Sequence, residues 1–199
     1  NTYALFAEHN RSVLGPKGRA GFIVPTGIAT DATTAEFFWD AVSTRRMVSV
    51  LGFENEGKLF ASIDHRVNFC LTTIAGSAHA AATSFAAFLR DPSALRDPAR
   101  VYELSSENIE TINPLTRTMP VFRTRRDADL TLRAYRSTGT FWPSGTAEAP
   151  SWRARFTSMF HMANDSHLFR RANEILPGTH DEFLPLIEAK MLWHFDHRN

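Results

Sequence analysis

The sequence predicts an α/β chain: three sheet strands with their helices, followed by a mixed, mainly helical region. Three observations predict it. Up to Ala75, stretches with helical spacing of apolar residues alternate with short runs rich in β-branched and aromatic residues, in the order helix, strand, helix, strand, strand. The run "GRAGFIVPTGIAT" at 18–30 opens on a glycine and closes at Pro25, Thr26 and Gly27, where a parallel sheet presents a ligand crevice. From Gly76 onward the texture shifts to alanine, arginine and proline.

Each element follows from its own residues. Residues 2–14 (TYALFAEHNRSVL) set Leu5, Phe6, His9, Val13 and Leu14 near helical spacing, and Gly15, Pro16, Lys17 and Gly18 stop the helix. Gly21 to Val24 reads as a buried strand. After a polar loop from Thr26 to Thr33, a helix over 34–44 buries Phe37, Phe38, Ala41 and Val42. Met47 to Phe53 is the next strand, Glu54 to Leu59 a polar link, and Asn68 to Ala75 a third strand, near enough to pair antiparallel with the second. A helix as first element, leading into a strand that demands a sheet around it, creates the expectation that the N-terminal half of the domain is missing from this chain. Beyond Gly76, an alanine-rich helix is expected from Ala80 to Arg90, halted at Asp91 and Pro92. Ser105 or Ser106 can cap a short helix with Glu107 or Glu110 nearby. Ser137 to Pro150 reads as a loop holding Phe141 and Trp142. The tail from Phe183 to His197 reads as a helix with Leu186, Ile187, Met191, Leu192 and Phe195 inward. The expected division is 1–78 and 79–199.

An apolar share of 43% in 199 residues is that of an ordinary globular protein. No run approaches the roughly 20 apolar residues that span a bilayer, and the first residues lack the pattern of a signal peptide. The expectation is therefore no membrane association. Cys70 is the single cysteine, so there is no internal disulfide framework and a cytoplasmic location is expected. The net charge of +1 says little, but its distribution says more: residues 112–171 hold ten arginines against four acids. Arginine outnumbers lysine 19 to 3, and arginine forks onto phosphates, although a GC-rich genome also writes arginine for lysine.

The stretch "NTYALFAEHNRSVLGPKGRAGFIVPTG" carries an aromatic-bearing helix, a glycine-rich turn and a strand ending in "VP". In that order it resembles the segment just after the catalytic motif of adenine-N6 DNA methyltransferases, in particular the large restriction-modification methylases. "MVSVLGFENEGKLFASIDHRVNFCLTTIAG" continues the resemblance with the last two sheet strands and a phenylalanine-bearing loop. "NPLTRTMPVFRTRRDADLTLRAY", "MFHMANDSHLF" and "LPLIEAKMLWHFDHR" resemble the region that follows the catalytic domain in that group. The resemblance implies a partial Rossmann-like class I methyltransferase sheet, its last three strands, over 1–78, and a connector with the start of a DNA-recognition region over 79–199. It also implies transfer of a methyl group from S-adenosylmethionine to the exocyclic amine of an adenine flipped out of double-stranded DNA. Phe6 then packs on the cofactor's adenine beside Pro25, and Phe60 stacks on the flipped base. The structural alternatives are a core Phe6 on an apolar stripe and a Phe60 that merely anchors its loop.

The family's Asn-Pro-Pro-aromatic motif, which holds the target amine, does not occur in this sequence, and neither does the glycine-rich cofactor loop. Asn113-Pro114-Leu115-Thr116 follows the sheet, lacks the second proline and the aromatic, and reads as a turn initiator. The expectation is thus a fragment inactive alone, whose partners are DNA and the rest of the parent methyltransferase chain. Arg117, Arg123, Arg125 and Arg126 lie close together, and Arg133 and Arg136 follow at a helical interval, interleaved with Phe122, Tyr135, Phe141 and Trp142. Contacts of this type to phosphates position a protein on DNA. The alternative is salt bridges to Asp127, Asp129 and Glu103.

Other chemistries find little. His194, Asp196 and His197 lack a third metal ligand nearby, and no metal is expected. Near His161, Asn164 and His167, Asp165-Ser166 reads as a cap or turn. Glu188 and Lys190, two apart, do not pair on a helix. Cys70 reads as a small hydrophobe, and there is no Gly-x-Ser-x-Gly elbow and no nuclease-type pair of acids with a lysine. Two competing readings remain: a cofactor-free nucleic-acid-binding module that uses an arginine-rich face, and a generic α/β enzyme fragment. A deeply buried Phe60 with fully paired arginines would favour the latter.

Overall fold

The three strand-forming runs before Gly76 pair with two more beyond it into one five-stranded sheet. The computed structural model describes residues 2–79, 82–140, 160–175 and 183–186. Its strands are β1 (Arg19–Pro25), β2 (Met47–Glu54), β3 (Asn68–Ala75), β4 (Thr83–Leu89) and β5 (Tyr102–Leu104), in the spatial order β1-β3-β2-β4-β5. β3 lies antiparallel between β1 and β2, β2 and β4 are parallel, and β5 is antiparallel to β4. β1, β2 and β4 therefore run the same way, and their carboxyl ends meet at one end of the sheet.

The helices are α1 (Thr2–Ser12), α2 (Gly27–Thr30), α3 (Ala35–Ser43), α4 (Ser106–Ile112) and α5 (Arg125–Thr138). All five contribute to one core on a single face of the sheet. There Phe38, Ala41 and Val42 of α3 meet Val50, Cys70, Ile74 and Phe85, while Ile109 of α4 and Leu132 of α5 join Tyr102 and Leu104. The opposite face holds a smaller cluster of Phe53, Ala86 and Leu89, with Ala94 and Leu95 of the 3-10 turn Pro92–Arg96 packed against it. Capping fixes where α4 and α5 begin. The Ser105 hydroxyl accepts from the Asn108 N–H while the Ser105 N–H donates to the Asn108 side chain, and Thr124 and Asp127 repeat the arrangement. Asn108 thus fills the capping place for which Glu107 or Glu110 was expected.

Four expectations are corrected. Thr83–Leu89 is a strand, not part of an alanine-rich helix, because "TSFAAFL" sits between β2 and β5 and is buried on both faces; there small alanines pack closely and sheet pairing overrides helical propensity. The sheet consequently runs past residue 78, with five strands where three were expected; the chain forms two compact units, Asn1–Ala154 and Arg155–Asn199. β1 is not buried on both faces: it lies at the sheet edge, with Arg19, Gly21, Ile23 and Pro25 exposed and Val24 buried. On α1 the inward face is Tyr3, Ala4 and Ala7, joined by Leu14, whereas Leu5, Phe6 and Val13 are exposed. Small alanines let α1 lie close to the sheet, and Arg11, paired within α1 to Glu8, latches the helix to α3 through its ion pair with Asp40 and a position over the Phe37 ring.

In the second unit, Asp165 precedes the 3-10 turn Ser166–Leu168 and its carboxylate accepts from the His161 N–H at 2.6 Å, the turn role expected for it. Phe160 meets Phe169 edge to face. Of the tail expected to be helical, 183–186 form no regular element, and the rest lies outside the described residues, as do Phe141, Trp142, His194 and His197. Among the described residues, no helix is long and apolar enough to cross a membrane, and no group of three or more His, Cys, Asp or Glu could hold a metal.

Candidate functional site

At the carboxyl end of β1 and β2 the register places Pro25, Phe69 and Phe53 side by side, pointing to the same face because partners across an antiparallel ladder share a side. Phe53 and Phe69 stack at 5.4 Å, and Phe60, from the β2–β3 connection, meets Phe69 edge on at 4.9 Å. Phe60 is 40% exposed, so its ring is partly covered by its neighbours and partly open to solvent. Its loop is held by one fully buried side chain. The Asn55 amide donates to the carbonyls of Phe60, Ile63 and Asp64, and its oxygen accepts from the Phe60 N–H at 3.0 Å. Two amide hydrogens serving three carbonyls leave the loop little freedom. Farther along, Arg66 hydrogen-bonds the Asp64 carboxylate through side chain and backbone and holds its pKa down to about 2. Leu59, Ile63 and Val67 stay exposed on the same loop.

Phe6 stands apart from this corner. It is 51% exposed on α1, and its ring contact is Phe22, edge on at 6.1 Å, on the helix-covered face of β1. A buried core role for Phe6 is ruled out by that exposure. Pro25 shares Phe69 with Phe60, so those two are brought together and Phe6 is not.

On the helix-covered face, the carboxyl ends of β1, β2 and β4 enclose a pocket of about 330 Å³, the place where parallel strands commonly present a ligand crevice. Its floor is Gly52 and Cys70, its walls include Phe88 and Met119, and Glu54 and Asn68 lie at its rim. Burial pushes the Cys70 thiol up to about 11, against the lowering effect of the Thr72 hydroxyl. The wall at Phe88 is made by a bulge. Leu51 pairs with Ala86 but Phe53 pairs with Leu89, so β4 carries one extra residue, and Phe88 takes a φ of 55°. For a bulky residue that conformation costs about 1–3 kcal/mol and persists only where its surroundings hold it. Arg100 enforces it, donating to the carbonyls of Ala87 and Phe88 and to that of Arg123. The segment carrying Met119 is pinned by its own N–H to the Ala29 carbonyl and by the Tyr102 hydroxyl, which donates to the Pro120 carbonyl and accepts from the Phe122 N–H. Burial pushes that phenol up to about 12.

The six arginines separate. Arg117 pairs with Glu110 at 2.8 Å and lies over Trp39. Arg123 lies 4.5 Å over the Phe88 ring, and the Arg125 Nε donates to the Val101 carbonyl. Arg126, Arg133 and Arg136 are exposed on α5 and have no ion pair among the described residues, and none of the three acids expected as alternatives takes them; Asp127 is committed to its cap with Thr124. Four of the six (Arg125, Arg126, Arg133 and Arg136) therefore share one helix, with half-exposed Leu130 among them. Asn113 and Pro114 form the turn expected of them, with the Asn113 amide donating to the Thr118 carbonyl.

Residue-by-residue reading of the sequence missed Asn55, Gly52, Phe88 and Arg100. A lone glycine inside a strand pattern marks a bulge or close approach, and Gly52 carried that signal. Asn55, a polar residue just past the strand, offered only a turn signal, while Phe88 and Arg100 offered none, since their roles come from contacts across the sheet. Compared with known protein families and with curated proteins, the sequence matches none.

Proposed function

We propose that the chain is part of an adenine-N6 DNA methyltransferase of the restriction-modification type, contributing the end of its catalytic sheet and a DNA-contacting helix. The observation that carries the reading is Phe60: a partly exposed aromatic ring on a loop wired by Asn55, against Phe69, the strand partner of Pro25 at the carboxyl end of β1. A flipped adenine needs such a face, and stacking of a base on an aromatic ring contributes about 1–3 kcal/mol. S-adenosylmethionine, when bound, would supply the methyl group. Phe6 fits a role against it to the extent that its ring is half exposed and free to cover a flat apolar surface; Pro25 is likewise exposed. Arg125, Arg126, Arg133 and Arg136 would meet phosphates and orient the duplex without reading it. Because the sequence lacks the Asn-Pro-Pro-aromatic motif, the reading assigns methyl transfer to a protein in which other sequence supplies that motif.

The test on this chain is its affinity for single-stranded oligo(dA). Phe60→Ala should weaken binding roughly tenfold while leaving the salt slope intact. Unchanged affinity overturns the stacking role. In a protein that carries the catalytic motif, the same substitution should slow methylation and leave cofactor affinity nearly unchanged.

A further inference from the structure

We infer that the pocket at the carboxyl ends of β1, β2 and β4 binds a flat, uncharged aromatic molecule that carries one hydrogen-bond donor. Phe60 does not line it: the ring of Phe69, on which Phe60 rests, and the thiol of Cys70 alternate to opposite faces of β3. The site therefore opens on the other face from the one proposed for the flipped base, with Phe53 bordering both.

Four features carry the inference. First, nothing in the backbone calls for glycine at position 52. Its φ is not in the left-handed region, and a Cβ there would make only ordinary contacts, the nearest at 3.4 Å to the Ala86 carbonyl oxygen. The absent side chain lowers the pocket floor in the middle of a strand, as where a ligand approaches closely. Second, the pocket is preformed. Arg100 and Tyr102 pin its walls from behind, and the Met119 N–H ties them to α2. Third, the lining suits an aromatic ring. Phe88 is turned into the wall by the bulge and held by Arg123, which is not itself a lining residue, while Met119 and Cys70 present polarizable sulfurs that favour ring contacts. Fourth, the rim carries no net charge to match an ion. The Glu54 carboxylate accepts from Arg90 at 2.7 Å, which neutralises it but leaves acceptor positions for one donor of the ligand. The volume of about 330 Å³ is about twice the ~150 Å³ cavity that holds one benzene ring, which points to two fused rings.

Indole is the probe, with benzofuran as its isostere lacking the N–H. The readout is the methyl resonances of the chain's five methionines, labelled with carbon-13 and assigned through Met119→Leu. Indole should shift the Met119 signal saturably and leave the other methionines in place, and benzofuran should bind roughly tenfold more weakly, the effect of one hydrogen bond to a carboxylate. Gly52→Val fills the floor, and Val121→Trp shades the mouth from the exposed rim. Each should abolish the shift, with the remaining methionine signals reporting that the fold is kept. No saturation with millimolar indole, or undiminished binding in both variants, overturns the site. Equal affinity for benzofuran overturns the donor. Neither DNA nor methyl transfer enters the readout, so its outcome is independent of the function proposed above.

Discussion

The two faces of the sheet are covered unequally. On one face all five helices converge, and the side chains of Val50, Ile74 and Phe85 are sealed from water. On the other, among the described residues, the 3-10 turn Pro92–Arg96 packs against the cluster of Phe53 and Leu89, while Leu51, Phe69 and Leu71 are only partly buried and Ile23 is exposed. Alternate residues of the same strands thus serve different ends. One set supplies most of the hydrophobic stabilisation, and the other leaves an accessible apolar surface that ends at Phe60.

That contrast can be broken by experiment. Phe85 is fully buried between Phe38 and Tyr102, so Phe85→Ala should cost about 3–5 kcal/mol in urea denaturation. Leu71→Ala, on the thinly covered face, should cost about 1 kcal/mol, because its site is already partly open. Equal losses would mean that the faces are energetically alike.

Alkaline pH probes the helix-covered face next. Cys70 and Tyr102 are neutral when protonated, and burial raises them from 9.0 to about 11 and from 10.0 to about 12. The unfolded chain releases these protons first as pH rises. Their contribution is therefore full below about pH 9 and lost between 9 and 12, on the order of 2 kcal/mol for each group. Cys70→Ala should remove the lower part of the decline and Tyr102→Phe the upper, followed by thermal denaturation against pH. A stability that stays level to pH 12 would show these groups to be solvated.

Asn55→Ala should cost about 2 kcal/mol by leaving the Phe60 N–H and three carbonyls of the loop without their partner. Hydrogen exchange across 55–67 should rise while that of β4 does not; equal acceleration would make the loop part of the core. The smallest stability effect belongs to α5. Alanine at Arg126, Arg133 and Arg136 together should change stability by no more than about 0.5 kcal/mol for each, since none is ion-paired among the described residues. The salt dependence of DNA binding should flatten by about one unit of slope for every phosphate that these arginines neutralise. An unchanged slope would retire phosphate binding by this helix.

By itself the sequence determined the local elements whose own residues carry the signal. β2, β3 and α3 follow their predicted spans closely because their runs are rich in residues that suit each element, and the cap at Ser105 and the turn at Asp165 depend on neighbours in the chain. The arginines of α5 were legible as a group for the same reason, as was a phenylalanine in the β2–β3 loop. Only the tertiary structure decided the rest. "TSFAAFL" has helical propensity and becomes a central strand through pairing with β2 and β5, partners that no local window contains. α1 offers two apolar stripes, and the sheet selects the one with the small Ala4 and Ala7, which allow close approach and turn Phe6 outward. Asn55 acquires its role only when its loop closes around it, and Phe88 and Arg100 theirs only when the bulge of β4 is brought within hydrogen-bond reach of Arg100. Burial then makes each of those bonds matter, because in the dry interior an unpaired polar group has no water to replace its partner.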